Sequence, residues 1–258
     1  MNADYHVPLL VTNKHVIAEA TEAFLHFSTK AADEADEPLP GKHIRIQVAN
    51  FNNNWLLHPS PDVDLAALPI SGLIEFVTNE LKVFPFYKAL LVEHVATDLF
   101  TKNLLAIEPI TMIGYPNGLW DSANNLPIVR KGITATPPYA DFEGKPQFMI
   151  DCACFPGSSG SPVFLLDVSG YTDKTGNLVV DRHRVKLLGI LAAGPIYDAE
   201  GEIKMVPAPT TMIPIVRSKL FLNLGICVKA GQLLWFENFI RQQLERELAA
   251  GLKPNIRS

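Results

Sequence analysis

Lys and Arg form no basic run anywhere in the 258 residues, and the formal net charge is −5. A surface that grips a phosphate backbone needs a basic face, so nucleic acid is not an expected partner. No stretch of eighteen or more apolar residues occurs, so no membrane partner is expected either. The opening segment MNADYHVPLLVTNKH lacks a basic stretch followed by a sustained apolar one, so it does not read as a secretory leader. Cysteine is scarce: Cys152, Cys154 and Cys227 are three in number, and two of them are two residues apart. That is no disulfide framework, and a reducing, cytoplasmic setting is expected. A Cys-x-Cys pair without a second pair at ligand spacing gives no metal site, so the two read as small buried residues.

What is present suits a compact protein: 48% hydrophobic and 19% charged residues. The acidic stretch Asp33-Glu34-Ala35-Asp36-Glu37, followed by Pro38, Pro40 and Gly41, reads as a solvated loop without the ligand spacing of an EF-hand. Short apolar runs punctuated by Gly, Pro, Asn and Asp dominate the first two-thirds. Strands are predicted at Val7 to Val11, Ala23 to Ser28, Ile44 to Val48, Trp55 to Leu57 and Leu65 to Ile70. Residues 73 to 106 are read as a crossover, with a helical piece around Lys88 to Leu99. A second set of strands follows at Ile110 to Ile113, Ile128 to Thr134, Phe148 to Cys152, Pro162 to Leu166, Val185 to Leu191 and Thr210 to Val216. Asp173 to Asp181, with Thr175-Gly176-Asn177, reads as a hairpin-like excursion. The period then changes: Leu233, Phe236, Ile240 and Leu244 recur at three and four, predicting an amphipathic helix that ends near Gly251 and Pro254. Its Trp235, Phe236 and Phe239 are expected to pack on the second group of strands.

Three segments carry chemistry. Acyl transfer by a serine needs a hydroxyl, an imidazole to take its proton, a carboxylate to orient the imidazole, and backbone donors for the oxyanion. Phe155-Pro156-Gly157-Ser158-Ser159-Gly160-Ser161-Pro162 supplies a hydroxyl at Ser159, and glycine at 157 lets the chain aim two N–H groups the same way. Taken alone it is also an ordinary tight turn between two apolar runs. Leu9-Leu10-Val11-Thr12-Asn13-Lys14-His15 places an imidazole directly after a strand, a context that His6, His26, His43, His58, His94 and His183 lack. In Asp62-Val63-Asp64-Leu65-Ala66-Ala67-Leu68 two carboxylates compete. Asp64 directly enters the apolar run, where an orienting carboxylate belongs.

These segments resemble the trypsin/chymotrypsin-like serine peptidases, nearest to the bacterial trypsin-like and HtrA-like branches, over about residues 7 to 218. The order is histidine, aspartate, serine. Val11-Thr12-Asn13-Lys14-His15, Asp64-Leu65-Ala66 and Gly157 to Pro162 match the three motifs. Ile113-Gly114-Tyr115-Pro116 and Leu188-Gly189-Ile190-Leu191-Ala192-Ala193-Gly194 look like two further pieces of the same branch. The resemblance implies a catalytic triad of His15, Asp64 and Ser159. It implies an oxyanion hole from the N–H groups of Gly157 and Ser159, and a substrate pocket built on Ala153, Cys154, Ala192, Ala193 and Gly194. No organic cofactor and no metal are implied. Where many members carry an acidic residue before the nucleophile, this chain has Ser158.

The implied fold is all-β: two six-stranded antiparallel barrels of the trypsin-like type, with a C-terminal amphipathic helix. The divisions expected are 1–85 for the barrel carrying His and Asp, 86–108 for the crossover, 109–225 for the barrel carrying Ser, and 226–258 for the helix. Only fourteen residues precede His15, where the family fold places two strands besides the one leading to the histidine. The first barrel is therefore expected to be incomplete unless a partner chain or a missing N-terminal segment completes it. The implied activity is a serine endopeptidase forming an acyl-enzyme on peptide or protein substrates. The alternative is a catalytically impaired module that binds peptides or regulates. An esterase of another fold is disfavoured, because Ser159 lacks a Gly-x-Ser-x-Gly elbow and the triad order differs.

Overall fold

The structure, a computed structural model, describes residues 6–33, 35–48, 51, 54–180, 183–194, 196–202 and 215–250. In the first third the apolar runs become β1 (Leu9–Thr12), β2 (Ala23–Lys30), β3 (His43–Val48), β4 (Leu56–Leu57) and β5 (Ala66–Pro69). A single helical turn, α1 (Lys14–Ile17), follows β1; α2 (Ser71–Asn79) and β6 (Phe84–Phe86) follow β5. These strands make two three-stranded antiparallel sheets, ordered β1-β5-β4 and β3-β2-β6. The expected first six-stranded barrel is thus not closed among the described residues. β3 is described to Val48 and β4 has only two residues, and among the described residues no continuous strand carries one sheet into the other. β1 has β5 on one side and no described strand on the other.

The crossover also departs from expectation. Instead of a helix over Lys88 to Leu99 there is a 3₁₀ turn at Val92–His94 and one turn of α3 (Asp98–Thr101). Leu90, Leu91 and Val92 are all exposed, so no apolar face drives a helix there. The helix in this region is α2, which buries Val77.

The second group of strands closes. β7 (Pro109–Gly114), β8 (Ile128–Thr134), β9 (Gln147–Asp151), β10 (Pro162–Asp167), β11 (Gly170–Thr172), β12 (Leu178–Val180) and β13 (Arg184–Ala193) come first. β14 (Ile196–Glu202), β15 (Ile215–Phe221), β16 (Leu224–Lys229) and α4 (Leu234–Ala249) complete the described chain. The barrel order is β10-β13-β16-β9-β8-β7, and β7 pairs back to β10. Two hairpins lie outside it: β11–β12, where the excursion was expected, and β14–β15. The predicted strand from Thr210 to Val216 mostly lies outside the described residues. Among the described residues β15 (Ile215–Phe221) pairs with β14 alone, and the sixth barrel strand is β16. The barrel consequently extends to Lys229, past the boundary expected at 225/226, while α4 starts at Leu234, beside the Leu233 at which the helical period begins. The predicted helix stops at Gly251 and Pro254 lie beyond the described residues.

Three cores organise these parts, the smallest packing Ile17, Phe51 and Ala66 together within the first third. Ile110, Met112, Phe148, Ile150, Val163, Leu165, Leu188 and Cys227 fill the barrel. A second core joins Val63, Leu65 and Ala67 of the first third to Phe164, Leu187, Ile190 and Val228 of the barrel and Phe236 of α4. Of the helix aromatics, Phe236 is buried in this second core with Trp235 packed against it, as expected, whereas Phe239 stacks on the Trp235 ring at 5.1 Å. No helix among the described residues is long and apolar enough to cross a membrane.

Candidate active site

β1 delivers His15 to the surface on α1, and the loop before β5 delivers Asp64 opposite it. The two side chains meet at 2.5 Å between His15 Nδ1 and Asp64 Oδ2, and the His15 N–H donates to Asp64 Oδ1 at 3.2 Å. An ionised carboxylate can only accept, so Nδ1 carries the proton in this pair, and in the neutral imidazole Nε2 is then the acceptor. Asp62, the competing carboxylate, points to Lys145 at 3.8 Å instead. Asn13, fully buried, donates from Nδ2 to the Asp64 carbonyl at 2.8 Å and so fixes the loop that carries the carboxylate. Lys14 donates to the Ser60 carbonyl at 2.9 Å and ties the same loop down further along. Neither residue was singled out from the sequence; both sit in the segment read for His15 alone.

The serine segment folds as two successive β-turns. In the first, Ser158 N–H donates to the Phe155 carbonyl at 3.1 Å, with Pro156 second and Gly157 third at φ +78°. In the second, Ser161 N–H donates to the Ser158 carbonyl at 3.1 Å, with Ser159 second and Gly160 third at φ +83°. Positive φ at the third position is the type II signature, which explains both glycines. The turns are moored on β13 by Gly160 N–H to Leu191 O at 2.8 Å, and on the 116–118 turn by Asn117 N–H to Pro156 O at 2.7 Å. Among the described residues no acceptor takes the N–H of Gly157 or of Ser159.

The turn and the histidine segment touch. A Cβ added to Gly160 would lie 2.8 Å from Thr12 Oγ1, three residues before His15. The Ser159 hydroxyl donates to the Ala192 carbonyl at 3.1 Å. A hydroxyl has one proton, so in this conformation it is not given to His15.

Two of the expected pocket residues, Cys154 and Gly194, lie side by side. A Cβ on Gly194 would sit 3.1 Å from Leu224 O and 3.8 Å from Cys154 Cβ, so the strand end after Ala192 and Ala193 faces the segment Ala153-Cys154. Gly225, not anticipated, makes room for Cys154: a Cβ there would be 2.5 Å from its Sγ. The signal was available, since Gly225 interrupts an apolar strand run, as glycine does where backbone and side chain approach closely. Burial, with the neighbouring Cys152, pushes the Cys154 thiol up to about 12, so it stays uncharged. Among the described residues no group of three or more His, Cys, Asp or Glu side chains could hold a metal ion.

A closed antiparallel barrel carrying a serine turn, with a paired histidine and aspartate in the segment that touches that turn, is the arrangement of barrel-built serine peptidase domains. A family model described as a trypsin-like peptidase domain matches residues 1–171, and the chain belongs to that family. Comparison with curated proteins finds no match.

Proposed function

We propose that the protein is a serine endopeptidase that hydrolyses peptide bonds through an acyl-enzyme at Ser159. The observation carrying this reading is the His15–Asp64 pair, which leaves Nε2 as the free acceptor in the segment touching the serine turn. Ser159 rotates from Ala192 to donate to His15 and attacks the carbonyl carbon of the peptide. His15 takes the proton as general base and returns it to the leaving amine as general acid; it then takes a proton from water, which attacks the acyl-enzyme ester, and gives that proton back to Ser159 Oγ as the acid product leaves. The N–H groups of Gly157 and Ser159, free of other acceptors, stabilise the oxyanion. A cationic side chain entering beside Cys154, Ala192 and Gly194 loses its hydration without gaining a partner, so apolar residues of small or medium size are preferred at the cleaved position. Three free thiols support a reducing compartment, in keeping with a cytoplasmic location.

A second reading has its own support. The Ser159 hydroxyl rests on Ala192, and β1, which feeds His15, has an unpaired edge among the described strands. A module that binds peptides without turning them over would look the same at these two places. A fluorophosphonate probe separates the two. The peptidase labels at Ser159, Ser159→Ala abolishes labelling without lowering the melting temperature, and a peptide library shows apolar cleavage preference. No labelling of the folded wild-type chain favours the binding module, and a profile dominated by Lys or Arg overturns the pocket assignment.

A further inference from the structure

Along β8 the alternation of exposure places Ile128, Arg130, Gly132 and Thr134 on the sheltered face. Three of these are small or apolar enough for a barrel wall; Arg130 is not. Its Nη1 donates to the Ala153 carbonyl at 2.7 Å and to Ser158 Oγ at 2.9 Å. Its Nε and Nη2 are buried and have no hydrogen-bond partner, and among the described residues no carboxylate lies within ion-pair distance. Gly114 leaves room beside it: a Cβ there would lie 3.4 Å from Nη2 and 1.9 Å from Ser161 Oγ. A guanidinium buried with unsatisfied donors is costly, and a chain that keeps one gains something for it elsewhere.

The gain lies in what Nη1 holds. Ala153 and Ser158 are the two feet of the loop whose tip is the Pro156-Gly157 turn, and one nitrogen bridges both. Ser158 is completely buried, so its hydroxyl has no water to bond in place of Arg130. We propose that Arg130 is a positioning residue: it clamps the 153–158 loop from beneath so that the N–H groups of Gly157 and Ser159 stay aimed at one point. The inference rests on the peptidase reading for its consequence, but the clamp is a property of the loop itself. Among the described residues no hydrogen bond joins Arg130 to Ser159, so its hold on the nucleophile runs through the loop.

The test uses the full chain. Arg130→Ala lowers kcat and the rate of fluorophosphonate labelling by about 10²-fold, the scale of losing one oxyanion donor. KM for the same peptide and affinity for the product peptide hold, while affinity for a peptide boronate falls with kcat. Methylguanidinium added to Arg130→Ala restores part of the labelling rate, and it does nothing for Arg130→Gln, whose side chain fills the space. A purely structural arginine would not give that split or that rescue. Arg130→Ala labelling at the wild-type rate overturns the inference. A second variant needs no activity and covers misfolding: Ser158→Asp puts a carboxylate in place of the hydroxyl that Nη1 holds. It is tolerated with Arg130 present and melts much lower in the Arg130→Gln background; equal destabilisation in both overturns the clamp. Failure of the wild type to label, with that coupling intact, sinks the peptidase reading alone.

Discussion

Asp64 meets His15 through both oxygens, and this double contact is what an amide cannot reproduce. In Asp64→Asn the amide nitrogen faces either the backbone N–H or Nδ1, and in the second case it forces the imidazole proton onto Nε2. The base is then blocked, and a loss of about 10⁴-fold in kcat is expected. Asp62→Asn removes only an exposed contact with Lys145 at 3.8 Å, worth well under ~1 kcal/mol, and leaves activity within twofold or so. Kinetics on the two variants decide the matter, and equal damage from both defeats the assignment of Asp64. At this scale the sequence was informative because each chemical group stands at a strand end with a recognisable neighbour set. Arg130 was invisible for the opposite reason. In Ile128-Val129-Arg130-Lys131 a single arginine beside a lysine reads as the solvent face, and only barrel closure turns it inward.

Elements were legible where their ends carried turn residues. All five strands predicted before residue 71 exist within two residues of their expected limits, and Ile128–Thr134 is found as predicted. Pairing was less legible than existence. Leu224 to Lys229 has no polar alternation because a barrel strand packed on both sides needs none, so its short apolar run merged with the helix that follows. β13 lies between β10 and β16, whereas β1 has β5 alone. Amide exchange tests whether that asymmetry persists in solution. Residues 9–12 should exchange at least ~10²-fold faster than residues 187–191 in the isolated chain, and a partner or an additional segment pairing with β1 should slow them. Equal protection of both strands in the monomer would show that β1's free edge is covered.

At the scale of the whole molecule, the first third, the barrel and α4 share one core, and His58 stands where all three meet. It is buried, with its ring 5.3 Å from Trp235 and 5.9 Å from Phe236, and its Nδ1 accepts the Ser60 N–H at 3.3 Å. Burial first, then the nearby Lys14 charge, holds its pKa below the ordinary 6.5. The folded state therefore binds fewer protons at this site than the unfolded chain. The site costs nothing above pH ~6.5, and stability falls as pH drops from there through the depressed folded value. Melting temperatures from pH 7.5 to 5 should show wild type losing more than His58→Gln, and parallel curves would remove His58 from the account. The distribution of sulfur has a different consequence. Cys152, Cys154 and Cys227 are all buried in the barrel, and burial raises each thiol's pKa; the first third and α4 contain no cysteine. Alkylating reagents therefore meet a reactive thiolate only when the barrel itself opens. Loosening of β1, fraying of α4 or movement of the His15 segment leaves every sulfur covered, so the chain carries its own clock for the opening of one half, silent to the motions of the other.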